Sequence, residues 1–238
     1  MRRTVFAASL FVLAAGSAAQ ALVVPNGLEN TEADGTFSLT TSSTAGRTFQ
    51  LSMAANQLTS LVGQQITGLQ WRLNGAASAN WPPVDVSYAF WDVFMGPGVA
   101  PSAMSSTFAD NFTGAATQVR SGGAMFTAGS FTAGGSPNAF GPALNFTSPY
   151  LYTGGDLIIE MRFAQQIGAT TQSAFDAVLA SGGPANGWGV DYAGRWTGNA
   201  AGTTGNNGNF LVTNLVAVPA PASLALLGLG LAARRRSR

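Results

Sequence analysis

Apolar and polar residues alternate with period two in four stretches of this chain. In LQWRL, Leu69, Trp71 and Leu73 share one face. In VDVSYAF, Val84, Val86, Tyr88 and Phe90 oppose Asp85, Ser87 and Ala89. In DLIIEMRF, Leu157, Ile159, Met161 and Phe163 oppose Ile158, Glu160 and Arg162. Near the end, Phe210, Val212, Asn214 and Val216 alternate with Leu211, Thr213 and Leu215. Such alternation marks strands with one face on a core. Trp91 directly follows Phe90, so both faces turn apolar there, which predicts a bulge or a strand covered on both sides.

Turn-forming residues fill the gaps. The chain has 30 glycines, and GGPANG (182–187) and GNAAGTTGNNGN (198–209) read as loops. Two windows have near-helical spacing. QLSMAANQLTSLVG (50–63) fits a short helix or an irregular strand pair. TTQSAFDAVLA (170–180) is the better helix, capped by Thr171 or Ser173, or else a flap over the sheet. No fixed-period repeat occurs. Many short strands without βαβ alternation predict an all-β fold. An antiparallel, jelly-roll-like β-sandwich comes first and a closed barrel second.

The two ends read differently. Arg2 and Arg3 precede an apolar run from Val5 to Ala15, and small residues close on Ala19-Gln20-Ala21. These are the parts of a secretory signal peptide, with cleavage expected after Ala21 and Leu22 as the new N-terminus. The expected division is leader 1–21, body 22–217 and tail 218–238. Six of the 11 arginines sit at the ends, and lysine is absent. The body keeps five arginines against ten acids, a net charge of −5. That balance argues against a nucleic-acid surface, which needs clustered cations.

The tail is VPAPASLALLGLGLAARRRSR. Its uninterrupted apolar part, Ala222 to Ala233, has 12 residues. As a helix it spans about 18 Å, against about 30 Å of bilayer hydrocarbon, which is short for a permanent anchor. Pro219 and Pro221 hold the residues before them extended, as cleavage requires. Arg234, Arg235, Arg236 and Arg238 would keep the end cytoplasmic. This order of proline motif, apolar helix and arginine cluster resembles the PEP-CTERM sorting signal of Gram-negative bacteria that make exopolysaccharide. The resemblance covers residues 218–238, with Val218, Pro219, Ala220, Pro221, Ala222 and Ser223 as the sorting and cleavage motif. Alanine stands at 220 where the family has glutamate, a VP-x-PA-S variant. The resemblance implies export by the Sec translocon and signal peptidase, a transient transmembrane helix, and processing by exosortase, a membrane-embedded cysteine transpeptidase. It implies a destination at the cell surface or in a biofilm matrix, with exopolysaccharide as the neighbouring polymer.

Histidine and cysteine are absent. That removes disulfides, His/Cys zinc sites and every Ser-His-Asp or Cys-His arrangement. No catalytic residue, metal ligand set or cofactor site is assigned. Trp81, before Pro82-Pro83, and Trp188, after a Gly-Asn loop, are the tryptophans expected to be exposed, and are the candidate carbohydrate-stacking residues. Asp85 and Asp92 flank an aromatic strand but point to opposite faces unless a bulge resets the phase. Glu29, Glu32 and Asp34 form a small acidic run without EF-hand or RTX spacing. Asn111 and Asn145 begin N-x-T triplets. The expected role is a non-enzymatic structural or adhesive protein, with a carbohydrate-binding module as the alternative.

Overall fold

The computed structural model describes residues 20–40 and 43–220 of the 238-residue chain. Its strands are short. In chain order they are β1 (Gln20–Val24), β2 (Gly35–Phe37), β3 (Arg47–Met53), β4 (Gln64–Gln70), β5 (Val86–Tyr88), β6 (Trp91–Pro97), β7 (Thr117–Arg120) and β8 (Ala124–Phe126). There follow β9 (Leu144–Leu151), β10 (Leu157–Phe163), β11 (Gln166–Ile167), β12 (Phe175–Val178), β13 (Tyr192–Thr197), β14 (Asn206–Gly208), β15 (Phe210–Leu211) and β16 (Thr213–Pro219). The pairings that join them are antiparallel, as expected for an all-β chain. One sheet runs β14-β13-β3-β10-β6-β7 and another β1-β16-β4-β9. Two three-stranded sheets, β11-β5-β8 and β15-β12-β2, complete a sandwich-like arrangement.

One hydrophobic core draws on all four sheets. Its centre is aromatic. The Trp71 ring, just past β4, stacks on Trp91 of β6 at 6.0 Å, and Trp91 stacks on Phe163 of β10 at 4.3 Å. Phe175 of β12 approaches Trp71, Trp81 and Phe131. Large rings give the greatest burial per residue, and offset or edge contacts add to it. Both indole N–H groups, of Trp71 and Trp91, are buried with no acceptor among the described residues. Each such orphan costs about 1–3 kcal/mol, which the ring packing must exceed.

Three local expectations change. The 170–180 window is not helical: Phe175–Val178 is a strand between β2 and β15, and a 3-10 helix begins only at Ala180. All four of its residues are buried, so sheet pairing on both sides outweighs a marginal helical pattern. The 50–63 window does hold a short helix, the 3-10 helix Ala55–Leu61, but its first residues belong to the end of β3. The Phe90-Trp91 junction is a change of sheet, since β5 ends at Tyr88 in one sheet and β6 starts at Trp91 in another. Val86 and Tyr88 are buried there, but Val84 and Phe90, beyond the short strand, are exposed.

Arginine side chains hold the loops. Arg72 and Asp176 form an ion pair at 2.8 Å with side chains 1% and 0% exposed. The same guanidinium donates to the carbonyls of Glu29 at 3.2 Å and Thr31 at 2.6 Å. Asp176 also accepts the Ala33 N–H at 3.1 Å. Burial pushes the Asp176 carboxyl above its ordinary value, while the hydrogen bond and charge of Arg72 pull it back. Arg47 donates to the carbonyls of Ser38 and Leu39. Arg120 donates to those of Trp91, Gly122 and Gly123, and Arg195 to those of Met104 and Ser105. Burial lowers the Arg47 pKa to about 10. On β10, Glu160 accepts from Arg162 of the same strand at 2.7 Å and from its cross-strand neighbour Gln50 at 3.0 Å.

Arg72→Met should lower the unfolding free energy in urea by about 3–5 kcal/mol, because it leaves Asp176 buried and unpaired. The double change Arg72→Met/Asp176→Leu should recover only part of this, since Glu29, Thr31 and Ala33 stay without their partners. A second outcome concerns alkaline pH. Tyr152 and Tyr192 are pushed up to about 12, chiefly by burial and then by nearby carboxylates. Unfolded tyrosine titrates near 10. The fold favours the neutral phenols, so this contribution is whole below about pH 10 and is lost as pH climbs to about 12. Denaturation followed against tyrosinate absorbance should show that window.

Candidate functional site

The aromatic candidates separate. Trp81 is 4% exposed, which corrects its expected exposure. The prolines after it do not hold it outside. Its backbone exchanges hydrogen bonds with Phe131, and its indole N–H donates to the Thr171 carbonyl at 3.0 Å. The ring lies among Phe126, Phe131 and Phe175 and offers no face to a sugar. Trp188 is half-buried. Its N–H donates to the Gly208 carbonyl at 3.1 Å, and the Arg195 guanidinium lies 5.9 Å from its ring centre. Of the two, only Trp188 keeps solvent contact suited to stacking.

The acids serve as loop ties. Asp85 accepts the Ala128 N–H at 2.8 Å, and Asp92 the Gly122 N–H at 3.2 Å. Glu32 accepts the Gly75 N–H, and Asp34 that of Leu179 at 2.8 Å. Asp156 accepts the Ala55 N–H at 2.8 Å. A carboxylate bonded to a backbone donor fixes a loop through a charge-assisted hydrogen bond. Among the described residues no group of three or more Asp or Glu could hold a metal ion. Asn111 is fully buried and bonds Gln50 and Ser105, although Thr113 of its N-x-T triplet is exposed, whereas Asn145 is itself exposed.

What the structure does bring together is the two ends of the body. β1 lies antiparallel to β16, with Leu22 opposite Leu215 and Val24 opposite Thr213, while Gln20 and Ala21 of the expected leader extend the ladder to Ala217 and Val216. The start of β1 and the end of β16 therefore share one end of one sheet, with strands about 4.8 Å apart. Ala21, of the leader-cleavage motif, is exposed. Val218 and Pro219, which begin the sorting motif, are the last residues of β16 and pair with Gln65 and Gln64 of β4. The body strand thus runs two residues past the expected boundary at 217. Ala220 follows, half-buried and outside the strand. Ala19, Pro221, Ala222, Ser223 and Arg234, Arg235, Arg236 and Arg238 lie outside the described residues.

This sheet has a second property. Its strands QALVV, TNLVAVP, QQITGLQ and LNFTSPYL contain no Asp, Glu, Lys or Arg. Amide pairs replace charge: Asn214 donates to Gln70 at 2.7 Å, and Gln64 donates to Gln20. Short apolar stretches at both ends of the chain carried the signal for this pairing, but neither says which strand it joins. Among the described residues no helix is long and apolar enough to cross a membrane. Compared with known family models, curated proteins and solved structures, the chain matches none.

Trp81→Ala should cost about 3–5 kcal/mol in chemical denaturation, the range for emptying a buried aromatic site. Trp188→Ala should cost far less, and is the substitution through which glycan binding can be examined on folded protein.

Proposed function

We propose that this is an exported, non-enzymatic protein of the cell surface or extracellular matrix, with a structural or adhesive role among exopolysaccharide. Its sandwich is read as jelly-roll-like. Its path is Sec export, leader removal by signal peptidase after Ala21, arrest by the apolar tail, and exosortase cleavage within Val218–Ser223. The observation that carries the reading is the β1–β16 pairing. Leader and tail leave the body from the same end of one sheet. A folded body can then stand on the outer side of the inner membrane while its tail sits in the bilayer. Ala220 and Pro221 alone separate β16 from the apolar run that begins at Ala222.

The chemistry of the body is consistent with a binding or structural task. Four of its five arginines grip loop carbonyls, and six of its acids accept backbone N–H groups. A second reading, a carbohydrate-binding module, keeps one specific support in the partly buried Trp188 ring beside Arg195.

Intact-mass and peptide mapping of the mature protein should give Leu22 as the first residue and no Arg234 to Arg238. Surface-exposed protein with its arginine cluster intact would replace the sorting reading with a tail anchor.

A further inference from the structure

Asn-Gly steps occur in the chain at 26–27, 74–75, 186–187 and 207–208. In such a step the glycine's backbone nitrogen can attack the asparagine's side-chain amide carbon, because the glycine has no Cβ to crowd the approach. The fold decides which of these steps is free to react.

Three are held. Asn74 donates to the Gly35 carbonyl at 3.2 Å and accepts the Ala76 N–H at 3.0 Å, and the Gly75 N–H is donated to Glu32. Asn186 donates to Asp34 at 3.0 Å and to the Leu179 carbonyl at 2.9 Å, and it accepts the Trp188 N–H at 3.2 Å. The Gly187 N–H is donated to the Pro184 carbonyl at 3.1 Å. Asn207 lies inside β14 opposite Arg195, and Gly208 is buried opposite Gly194.

Asn26 differs. It and Gly27 are exposed, in a turn closed by the Leu28 N–H on the Pro25 carbonyl at 3.2 Å. Gly27 has φ +89, the conformation that glycine supplies at the third position of such a turn. A Cβ built on Gly27 would meet nothing within 4 Å, so the space around it is open. The Asn26 backbone N–H is donated to Gln57 at 2.9 Å. Among the described residues, neither the Asn26 side-chain amide nor the Gly27 N–H has a partner. Nucleophile and electrophile are adjacent, solvated and untied.

We propose that Asn26 is a site of spontaneous deamidation, selected by the fold from among these Asn-Gly steps. The Gly27 nitrogen gives its proton to hydroxide and bonds to Cγ of Asn26. The Cγ–Nδ2 bond breaks, and the side-chain nitrogen takes a proton from water and leaves as ammonia. The product is a five-membered succinimide. Water then opens it at Cγ to give aspartate, or at the backbone carbonyl carbon to give isoaspartate. Either product adds a carboxylate, so the body's five arginines face eleven acids in place of ten, and its balance moves from −5 to −6. Isoaspartate also lengthens the backbone of the turn that follows β1.

The test incubates the purified full chain at mildly alkaline pH, folded and in urea, and follows each Asn-Gly peptide by mass spectrometry with fragmentation that separates aspartate from isoaspartate. In the folded protein Asn26 should convert before Asn74, Asn186 and Asn207, and faster as pH rises, because the attacking nitrogen must lose its proton. In urea the lead of Asn26 should disappear. Asn26→Gln should abolish the first folded-state conversion and leave the other three sites as they were, since the longer side chain closes a six-membered ring poorly. Folded protein in which another of these sites converts first, or in which all convert together, overturns the proposal. So does an Asn26 that converts in urea and stays intact in the folded chain.

Discussion

The buried ion pair of Arg72 and Asp176 reinforces a backbone contact between the same two segments, where the Asp176 N–H donates to the Arg72 carbonyl at 3.0 Å and Leu73 bridges Phe175. Arg72 lies past the end of β4, bridged to Phe140, and its guanidinium sits 5.1 Å from that ring centre. Asp176 lies in β12, between β2 and β15. The connection from 29 to 33 has no strand of its own, and it is held through Glu29, Thr31 and Ala33. Burying two charges is costly, and their attraction alone often fails to offset that. Here almost every donor and acceptor around the pair finds a backbone partner, which is the condition under which such a pair holds. A lysine could not replace Arg72. It offers a point charge in place of a planar fork that reaches three acceptors at once.

The same device recurs wherever a loop must lie flat on the sheets. Arg47, Arg120 and Arg195 each bond two or three carbonyls of a neighbouring connection. A loop-rich exported body would commonly use disulfides for this, and the chain has no cysteine. Guanidinium forks and carboxylate–amide bonds take their place. Glycine is needed where connections pass close to strands. Gly168 has φ +113, and a Cβ there would collide with the Asp85 carbonyl. The consequence for function is that the ionic groups are occupied inside the architecture. An acidic body with four of its five arginines bonded to loop carbonyls is poorly suited to hold polyanions.

How much of this was legible in the sequence depends on the range of the interaction. The β10 face of Leu157, Ile159, Met161 and Phe163 is read correctly, because a strand's period is a local property. The opposite face is not, because Ile158 and Glu160 are buried by partners such as Gln50, 110 residues away in sequence from Glu160. Arg72 shows the same limit. Its place opposite Leu69, Trp71 and Leu73 suggests a solvent face, while Asp176, 104 residues on, makes it internal. Phe175–Val178 satisfies both a helical and a strand period over a short window, and only its two neighbours decide. Trp81 misleads because a proline pair reads as an exposed turn, whereas three aromatic rings from distant segments enclose it.

The strand order also bears on how export and folding are timed. β16 is the last strand of the body, yet it sits between β1 and β4 rather than at an edge. The sheet therefore cannot close until the C-terminal strand has joined it. Such long-range pairing is slow, because loop closure must precede the contacts that reward it. When β16 arrives, the chain next in line is the motif and the apolar run. Under the proposed path, closure of the body and arrest of the tail are successive events at one place. An edge position for β16 would loosen that link, since a terminal edge strand can peel without opening the sheet. A central position holds β16 through ladders on both flanks, so removing it would open the sheet.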